Sequence, residues 1–536
     1  MKKFILFFNK SSTILALILV ASAALRLVPL EKLMVFTPDE SYILYYVQTL
    51  VRNFHTIWIG VSALGFDFYM GPGWIYFLYP FVAISKNDPL IIGIISSIIG
   101  VVTTYVVYWF GKKLYDTKVG LLASLFYGLS SLIVFYDQQP YPNAVPLTSL
   151  LIAISLYLSR KNKKWLYLFA ASYGAVFHLH LSLVLLVFAG IYWVLRYKLL
   201  DLKTIIISGA IFIATVSPMI VFDYYHNASN ITAPLRVLKS IGEEGKTKVG
   251  IEKKLTSITS SLSRLWYLDS GKSNTDEILY PCNTSLEAKT TKGKLPLVLI
   301  SLFILYQFFI TAFKNTTGYN PADELNADMS FSFGRIPRHN GGENVMGKGI
   351  WKDEKRSLFL VMSLCFIVPY LTISSINSVE YYLLGFFPLF FIMTASVISK
   401  FRKSLKYCVY FLIFLFLLRS VYVVFTASGE YGLKTKKIMV EKVMQTIENS
   451  SYELSEEGGV CQGAAGWRYL YMSYGRIPVR SSEDKSFYWL WEENEISKER
   501  AKFSVVMEDR RVSKQKHQGY KHLIQEGAFN AYIYEN

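Results

Sequence analysis

Residues 25–50, LRLVPLEKLMVFTPDESYILYYVQTL, join the first long apolar run of this 536-residue chain to a helix opened by two acids. The chain leaves an apolar run over 12–30, turns at Thr37-Pro38, and presents Asp39-Glu40. From Glu40 to Trp58, Ile43, Leu44, Val47, Leu50, Val51 and Phe54 recur at helical spacing, which predicts a helix lying along a membrane surface. A carboxylate in the first turn of such a helix stabilises its N-terminus against the helix dipole. The same carboxylate, held where the local dielectric is low, is also suited to act as a general base. At this level capping and catalysis are both open, and they can coexist.

Working outward, the composition sets the class. Hydrophobic residues make up 52% of the chain, charged ones only 18%, and the mean hydropathy is +0.31. These values and the long apolar runs describe an integral membrane protein. The net charge of +17 does not point to nucleic acid, because the basic residues fall in short loops between apolar runs and form no reader motif.

Spanning-length runs cover 12–30, 89–110, 119–136, 144–159, 165–180, 181–195, 204–222, 295–313, 357–376, 383–399 and 407–425, about eleven helices. Lys2, Lys3 and Lys10 precede the first run, and Lys112, Lys113 and Lys118 follow the second. Arg160 to Lys164, Arg196 to Lys203 and Lys400 to Lys406 mark later loops, while the loops between are nearly bare. This alternation places the N-terminus in the cytoplasm and the C-terminal segment outside the plasma (inner) membrane. The segment at 72–86, PGWIYFLYPFVAISK, is too short for a span and would invert the pattern, so it reads as interfacial on the outer face. The first run reads as an uncleaved anchor, despite the cleavage-like Ala21-Ser22-Ala23, because apolar residues continue to Leu30.

The expected architecture is an all-α polytopic membrane domain, 1–425, followed by a small α/β extracytoplasmic domain, 426–536. In the tail Lys436 to Ile447 has helical spacing, while Phe503 to Met507 and Ala531 to Tyr534 read as strands. The first outer loop, 31–88, carries surface helices; an outer loop at 223–294 is long enough to cover a cavity; an Asn- and Gly-rich cytoplasmic loop at 314–356 reads as poorly structured. Cys365 and Cys408 fall in spans, leaving Cys282 and Cys461 outside with room for one bridge.

Ionisable groups in the spans are few: Arg26, Arg419, and His178 and His180 at an outer end. Coupled transporters place such groups mid-membrane and interrupt helices with Gly or Pro there, and neither feature is expected here. Polar candidates gather at the outer ends instead. Tyr141-Pro142-Asn143 also reads as an ordinary turn, and His178 and His180, two apart, share no helix face. Tyr381 and Tyr382 after Glu380 fit an interfacial aromatic belt, and the Tyr488, Trp489 and Trp491 cluster fits packing of the tail. No ligand cluster for a metal stands out, and no cofactor is expected. Sequons at Asn227, Asn230 and Asn283 fall outside, but Asn315 matches inside, so the pattern carries little.

Taken in order, these features resemble the GT-C glycosyltransferases, and within them glycosyltransferase family 39, the protein O-mannosyltransferases and lipid A aminoarabinose transferase. The resemblance rests on residues 25–50, on GPGWIYFLYPF at 71–81, on the rhythm of 111–158, GKKLYDTKVGLLASLFYGLSSLIVFYDQQPYPNAVPLTSLLIAISLYL, and on FHLHLSLVLL at 177–186. It implies inverting transfer of a sugar from a polyprenyl-phosphate-linked donor to a protein, glycan or lipid hydroxyl. It makes Asp39 the general base and Glu40 its support. Arg26, Tyr42, Tyr141, Asn143, His178, His180, Tyr381 and Tyr382 are the candidates for holding donor or acceptor. Two departures stand out. Met70-Gly71-Pro72 replaces the family's Lys-Pro-Pro, removing a phosphate-gripping cation, and Asn143 replaces an Asp. The competing readings are a translocator of lipid-linked sugar and a non-catalytic scaffold that binds polyprenyl phosphate.

Overall fold

The apolar runs fold as helices, and all eleven are found. In the computed structural model, which describes residues 10–63, 68–140, 144–233, 251–268, 294–310, 353–372, 380–401, 403–457, 466–485, 500–510 and 516–536, they follow one another as a bundle. The helices are α1 (Lys10–Leu27), α2 (Pro38–Arg52), α3 (Gly73–Ile84), α4 (Leu90–Leu114), α5 (Thr117–Leu129), α6 (Ser131–Asp137), α7 (Val145–Ser159), α8 (Trp165–Leu179) and α9 (Leu186–Arg196). They continue as α10 (Leu202–Tyr225), α11 (Ile251–Arg264), α12 (Leu295–Ile310), α13 (Glu354–Thr372), α14 (Phe387–Ser399) and α15 (Lys403–Thr426). Among the described residues five helices are long and apolar enough to cross a membrane by length and composition, and the pair α5–α6 makes a sixth if counted as one bent span. The others are shorter apolar helices.

The α5–α6 pair corrects the expectation of unbroken spans. The run at 119–136 bends by 65° at Ser130, whose backbone is extended (φ −64°, ψ 121°) and whose hydroxyl donates to Leu265 O at 2.9 Å. A helix kinks where its ladder is interrupted, and here the hydroxyl bonds to a neighbouring segment rather than to its own helix. The segment at 72–86 is a helix, α3, of 12 residues, shorter than a span. The surface helix stops at Arg52 rather than Trp58.

The tail contains α16 (Leu433–Ile447), α17 (Trp467–Tyr474) and a sheet of β3 (Tyr452–Glu457), β4 (Arg480–Ser481), β5 (Phe503–Asp509), β6 (His522–Glu526) and β7 (Phe529–Glu535). The strand order is β4-β3-β5-β7-β6, parallel across β4, β3 and β5 and antiparallel from β5 to β6. The short hairpin of β1 (Ser62–Ala63) and β2 (Phe68–Tyr69) lies in the first loop. The tail is not a separate bead. Leu30, Met34, Phe36, Leu44 and Ile75 share one apolar core with Leu433, Val440, Trp467, Tyr469 and Phe529. Burial of that face is what holds the α2 region to the tail. Cys365 and Cys408 are free thiols, while Cys282, Cys461, Tyr488, Trp489, Trp491, Asn283, Asn315 and nearly all of the 314–356 loop lie outside the described residues.

Candidate functional site

Thr37 and Pro38 start α2 by a capping box. Thr37 Oγ1 accepts from Asp39 N at 3.2 Å, and Glu40 Oε2 accepts from Thr37 N at 2.8 Å and from the Thr37 hydroxyl. Both orphan donors of the first turn are thus satisfied reciprocally. Glu40 is fully buried by this task, and burial, with the neighbouring Asp39 charge, pushes its carboxyl up to about 7. Asp39 is the opposite case. Its side chain is exposed to solvent and makes no hydrogen bond or ion pair among the described residues. Protein nonetheless crowds the carboxyl closely enough for burial to raise it above the ordinary aspartate value. Exposed to water but surrounded by protein, it stands as a group on a cavity wall does. One turn on, Tyr42 lies on the same helix face, edge-on to Tyr46 with centroids 5.3 Å apart.

Four consecutive residues that the α5–α6 bend delivers tie Glu380, α1 and the segment before α2 to the bundle. The Tyr136 hydroxyl donates to Glu380 Oε1 (3.0 Å), and Asp137 Oδ2 accepts from Arg26 Nε (3.0 Å) and Nη2 (2.7 Å). Gln138 donates to Arg26 O (2.9 Å), and Gln139 Oε1 accepts from Val35 N (3.1 Å). Arg26 is 0% exposed, and its remaining N–H groups go to Ser22 and to Gly128 O at 2.7 Å. Its guanidinium is therefore occupied in holding α1 to the bend, which leaves the binding role expected of it without a geometric basis.

The two histidines separate by function. His178 Nδ1 accepts from Gly73 N at 3.0 Å while Nε2 faces Thr215 O at 2.8 Å, a pairing that suits the tautomer with its N–H at Nε2. His178 thus anchors the Met70-Gly71-Pro72 turn, which accounts for glycine in place of the first Pro: a Cβ on Gly71 would lie 2.2 Å from His178 Nδ1. A Gly71→Ala chain is expected to lose about 1–3 kcal/mol of stability to this clash. The double variant with His178→Ala should recover part of that loss in thermal unfolding, and strictly additive losses would refute the contact. His180 is buried beside Ser182 (Nδ1 to Oγ 2.8 Å), edge-on to Tyr381 at 5.6 Å and tilted over Tyr382 at 5.8 Å. Tyr381 and Tyr382 pair hydroxyls at 3.2 Å. Histidine and tyrosines therefore form one cluster.

Beside it is a cation that the sequence reading passed over. Arg264 Nη1 stands 3.3 Å from Glu380 Oε2, both side chains buried. Arg264 Nε and Nη2 and Glu380 Oε2 have no hydrogen-bond partner among the described residues. Arg264 ends α11, whose Ser257, Ser260, Ser261 and Ser263 are also buried, with the Ser257 hydroxyl 2.7 Å from that of Tyr370. A hydrophilic helix with serines on its inward face was the available signal. Arg419 donates to Leu268 O at 2.7 Å and is used structurally, and Asn230 bonds Tyr69 N and O. Tyr141 and Asn143 lie outside the described residues. Among the described residues no three His, Cys, Asp or Glu side chains are grouped as metal ligands would be.

The fold has solved counterparts. It matches the crystal structure of ArnT from Cupriavidus metallidurans in the apo state with TM-score 0.57, covering 98% of this chain and 98% of that chain at 8% identity. The same protein bound to undecaprenyl phosphate matches with TM-score 0.52 over 97% of each chain at 8% identity. A family model described as dolichyl-phosphate-mannose-protein mannosyltransferase matches residues 70–222. The chain shares the fold of ArnT, the GT-C fold. The AglB oligosaccharyltransferase of Archaeoglobus fulgidus, in complex with an inhibitory peptide and a dolichol-phosphate, is more distant, with TM-score 0.45 over 93% of this chain and 69% of that chain at 11% identity. No curated protein matches the sequence. The segment of this GT-C-fold chain that matches the family model runs from the Met70 turn through the α5–α6 bend to α10, so it includes Asp137, His178 and His180 but starts after Asp39.

Proposed function

We propose that this protein is a glycosyltransferase that moves a sugar from a polyprenyl-phosphate donor to a hydroxyl of a protein, glycan or lipid, with inversion, at the outer face of the plasma membrane. The N-terminus lies in the cytoplasm and the tail outside, as the basic-loop pattern requires. One observation carries the reading: Asp39 is an accessible, unpartnered carboxylate on a turn whose neighbours are otherwise fully bonded. Asp39 takes the acceptor hydroxyl proton, the acceptor oxygen forms a bond to the anomeric carbon, and the bond from that carbon to the phosphate oxygen breaks. The lipid phosphate departs with the electron pair. Burial that raises Asp39 makes it a better proton acceptor near neutral pH. Glu40 holds the turn, and Tyr42 offers a ring beside it.

The leaving phosphate needs donors, and the Met70 turn provides no cation. Arg264 supports that part, since its Nε and Nη2 hydrogens are buried and unpaired. The Arg264→Gln/Glu380→Gln double variant, which keeps the pocket neutral, should raise the donor KM about 10-fold or more, the value of a charged hydrogen bond. An unchanged donor KM removes Arg264 from the site.

The reading is tested with the full chain in nanodiscs, supplied with a panel of undecaprenyl-phosphate monosaccharides and cell-envelope acceptors. Release of undecaprenyl phosphate, dependent on acceptor, is the expected outcome. Vesicles in which the donor crosses the bilayer without any release would identify a translocator instead. Binding without either event would leave a scaffold.

A further inference from the structure

The segment that delivers Asp39 is held residue by residue, by the tail at Met34, Val35 and Phe36 and by the bundle at Val35 N. Met34 O accepts from Leu433 N at 2.7 Å, Val35 pairs with Gly432, and Phe36 O accepts from Lys436 Nζ at 2.8 Å. The approach is close: a Cβ on Gly432 would lie 1.8 Å from Lys32 O, so only glycine fits. Val35 N and Thr37 N are taken by Gln139 and Glu40. The next residues after this zipper are Pro38 and Asp39.

Lys436 is the costly member. It is 0% exposed, with its ammonium 4.9 Å from the Trp467 ring and 5.4 Å from that of Phe529. Desolvating an ammonium costs several kcal/mol, and an apolar side chain would pack in such surroundings at no such cost. Burial lowers the Lys436 amine to about 8, opposed by the carboxyls of Glu456, Glu483, Glu40 and Asp509. Glu456 accepts from Trp467 N (2.9 Å), and Asp509 accepts from Tyr431 (2.7 Å). The ammonium therefore bonds the carbonyl two residues before Pro38, in the field of the tail carboxyls of Glu456, Glu483 and Asp509. A second tail contact restrains the far end of the first loop: Tyr474 donates to Asp88 (2.8 Å) and Tyr469 to Asn87 O (3.0 Å).

We infer that Lys436 is a positioning residue for the transfer reaction, fixing the Phe36–Pro38 turn from the tail so that Asp39 is presented in one place. The tail is on this account part of the active site without touching substrate. The inference rests on the reading of Asp39 as base, and its test separates the two.

Full chain in nanodiscs is compared as wild type, Lys436→Met, Lys436→Gln and Lys436→Arg, with Asp39→Asn as control. Hydrogen exchange over 34–41 and over the β5 and β7 peptides is measured alongside undecaprenyl-phosphate release from the donor that wild type uses. Lys436→Met should speed exchange over 34–41 roughly tenfold while β5 and β7 stay protected. It should lower kcat by about 100-fold with the donor KM unchanged, as a displaced general base does. Lys436→Arg and Lys436→Gln, which keep a donor for Phe36 O, should restore protection and most of kcat. Should Lys436→Met unfold the tail, those two donor-keeping variants decide. Wild-type exchange and kcat in a folded Lys436→Met chain, or donor-keeping variants that stay folded but lose both, overturn the inference. Normal transfer by Asp39→Asn would remove the base while the exchange result still reports on Lys436.

Discussion

Asp39→Asn is expected to lower sugar transfer roughly 10²–10⁴-fold, the usual contribution of a positioned general base. The substitution keeps the size of the side chain, and the capping box does not use it: the bonds that start α2 come from Thr37 and Glu40. Thermal stability and polyprenyl-phosphate binding should therefore stay close to wild type, which separates loss of chemistry from loss of fold. The pH profile offers a second readout. Asp39 must be ionised to accept a proton, and burial raises its carboxyl, so the acid limb of kcat should lie at higher pH than an ordinary aspartate would set. Transfer by Asp39→Asn at the wild-type rate would end its assignment as base.

The second large effect is on folding. Arg26→Met is expected to cost about 3–5 kcal/mol, because it leaves the Asp137 carboxylate buried without its cation. Asp137→Leu should cost a similar amount for the mirror-image reason. The double variant removes both charges and should be far less destabilised than the sum of the singles, retaining a deficit of about 1–3 kcal/mol because Gly128 O loses its donor. Chemical denaturation in detergent measures all three. Transfer by the folded double variant then decides the role of Arg26. Activity near wild type means the guanidinium serves only the fold; a selective rise in donor KM would return it to the substrate site.

Much of this architecture was readable because apolar length and periodicity are local properties. Eleven runs became helices, α16, β5 and β7 appeared where their spacing placed them, and Asp39-Glu40 opened α2 as a first-turn pair should. What escaped depends on distance along the chain. Arg26 and Asp137 are 111 residues apart, and nothing in either neighbourhood announces the other. His178 was open to two readings because its partners are a backbone N–H and a backbone carbonyl, which any sequence can provide. The break at Ser130 was hidden inside an apolar run because the partner of its hydroxyl, Leu265 O, lies 135 positions away. Arg264 was missed because a single arginine ending a serine-rich helix looks like surface until the helix is seen to turn that face inward.

The bond from Lys436 to Phe36 O joins residues 400 positions apart, and that separation orders events during synthesis. Chains are made from the N-terminus onward, and domains fold as they become available. The acid-bearing turn reaches its side of the membrane early, yet the amine that secures it belongs to a segment translated long afterwards. On the reading of Asp39 as base, the turn that carries it would be made first and secured only when the tail segment of Lys436 docks against Phe36.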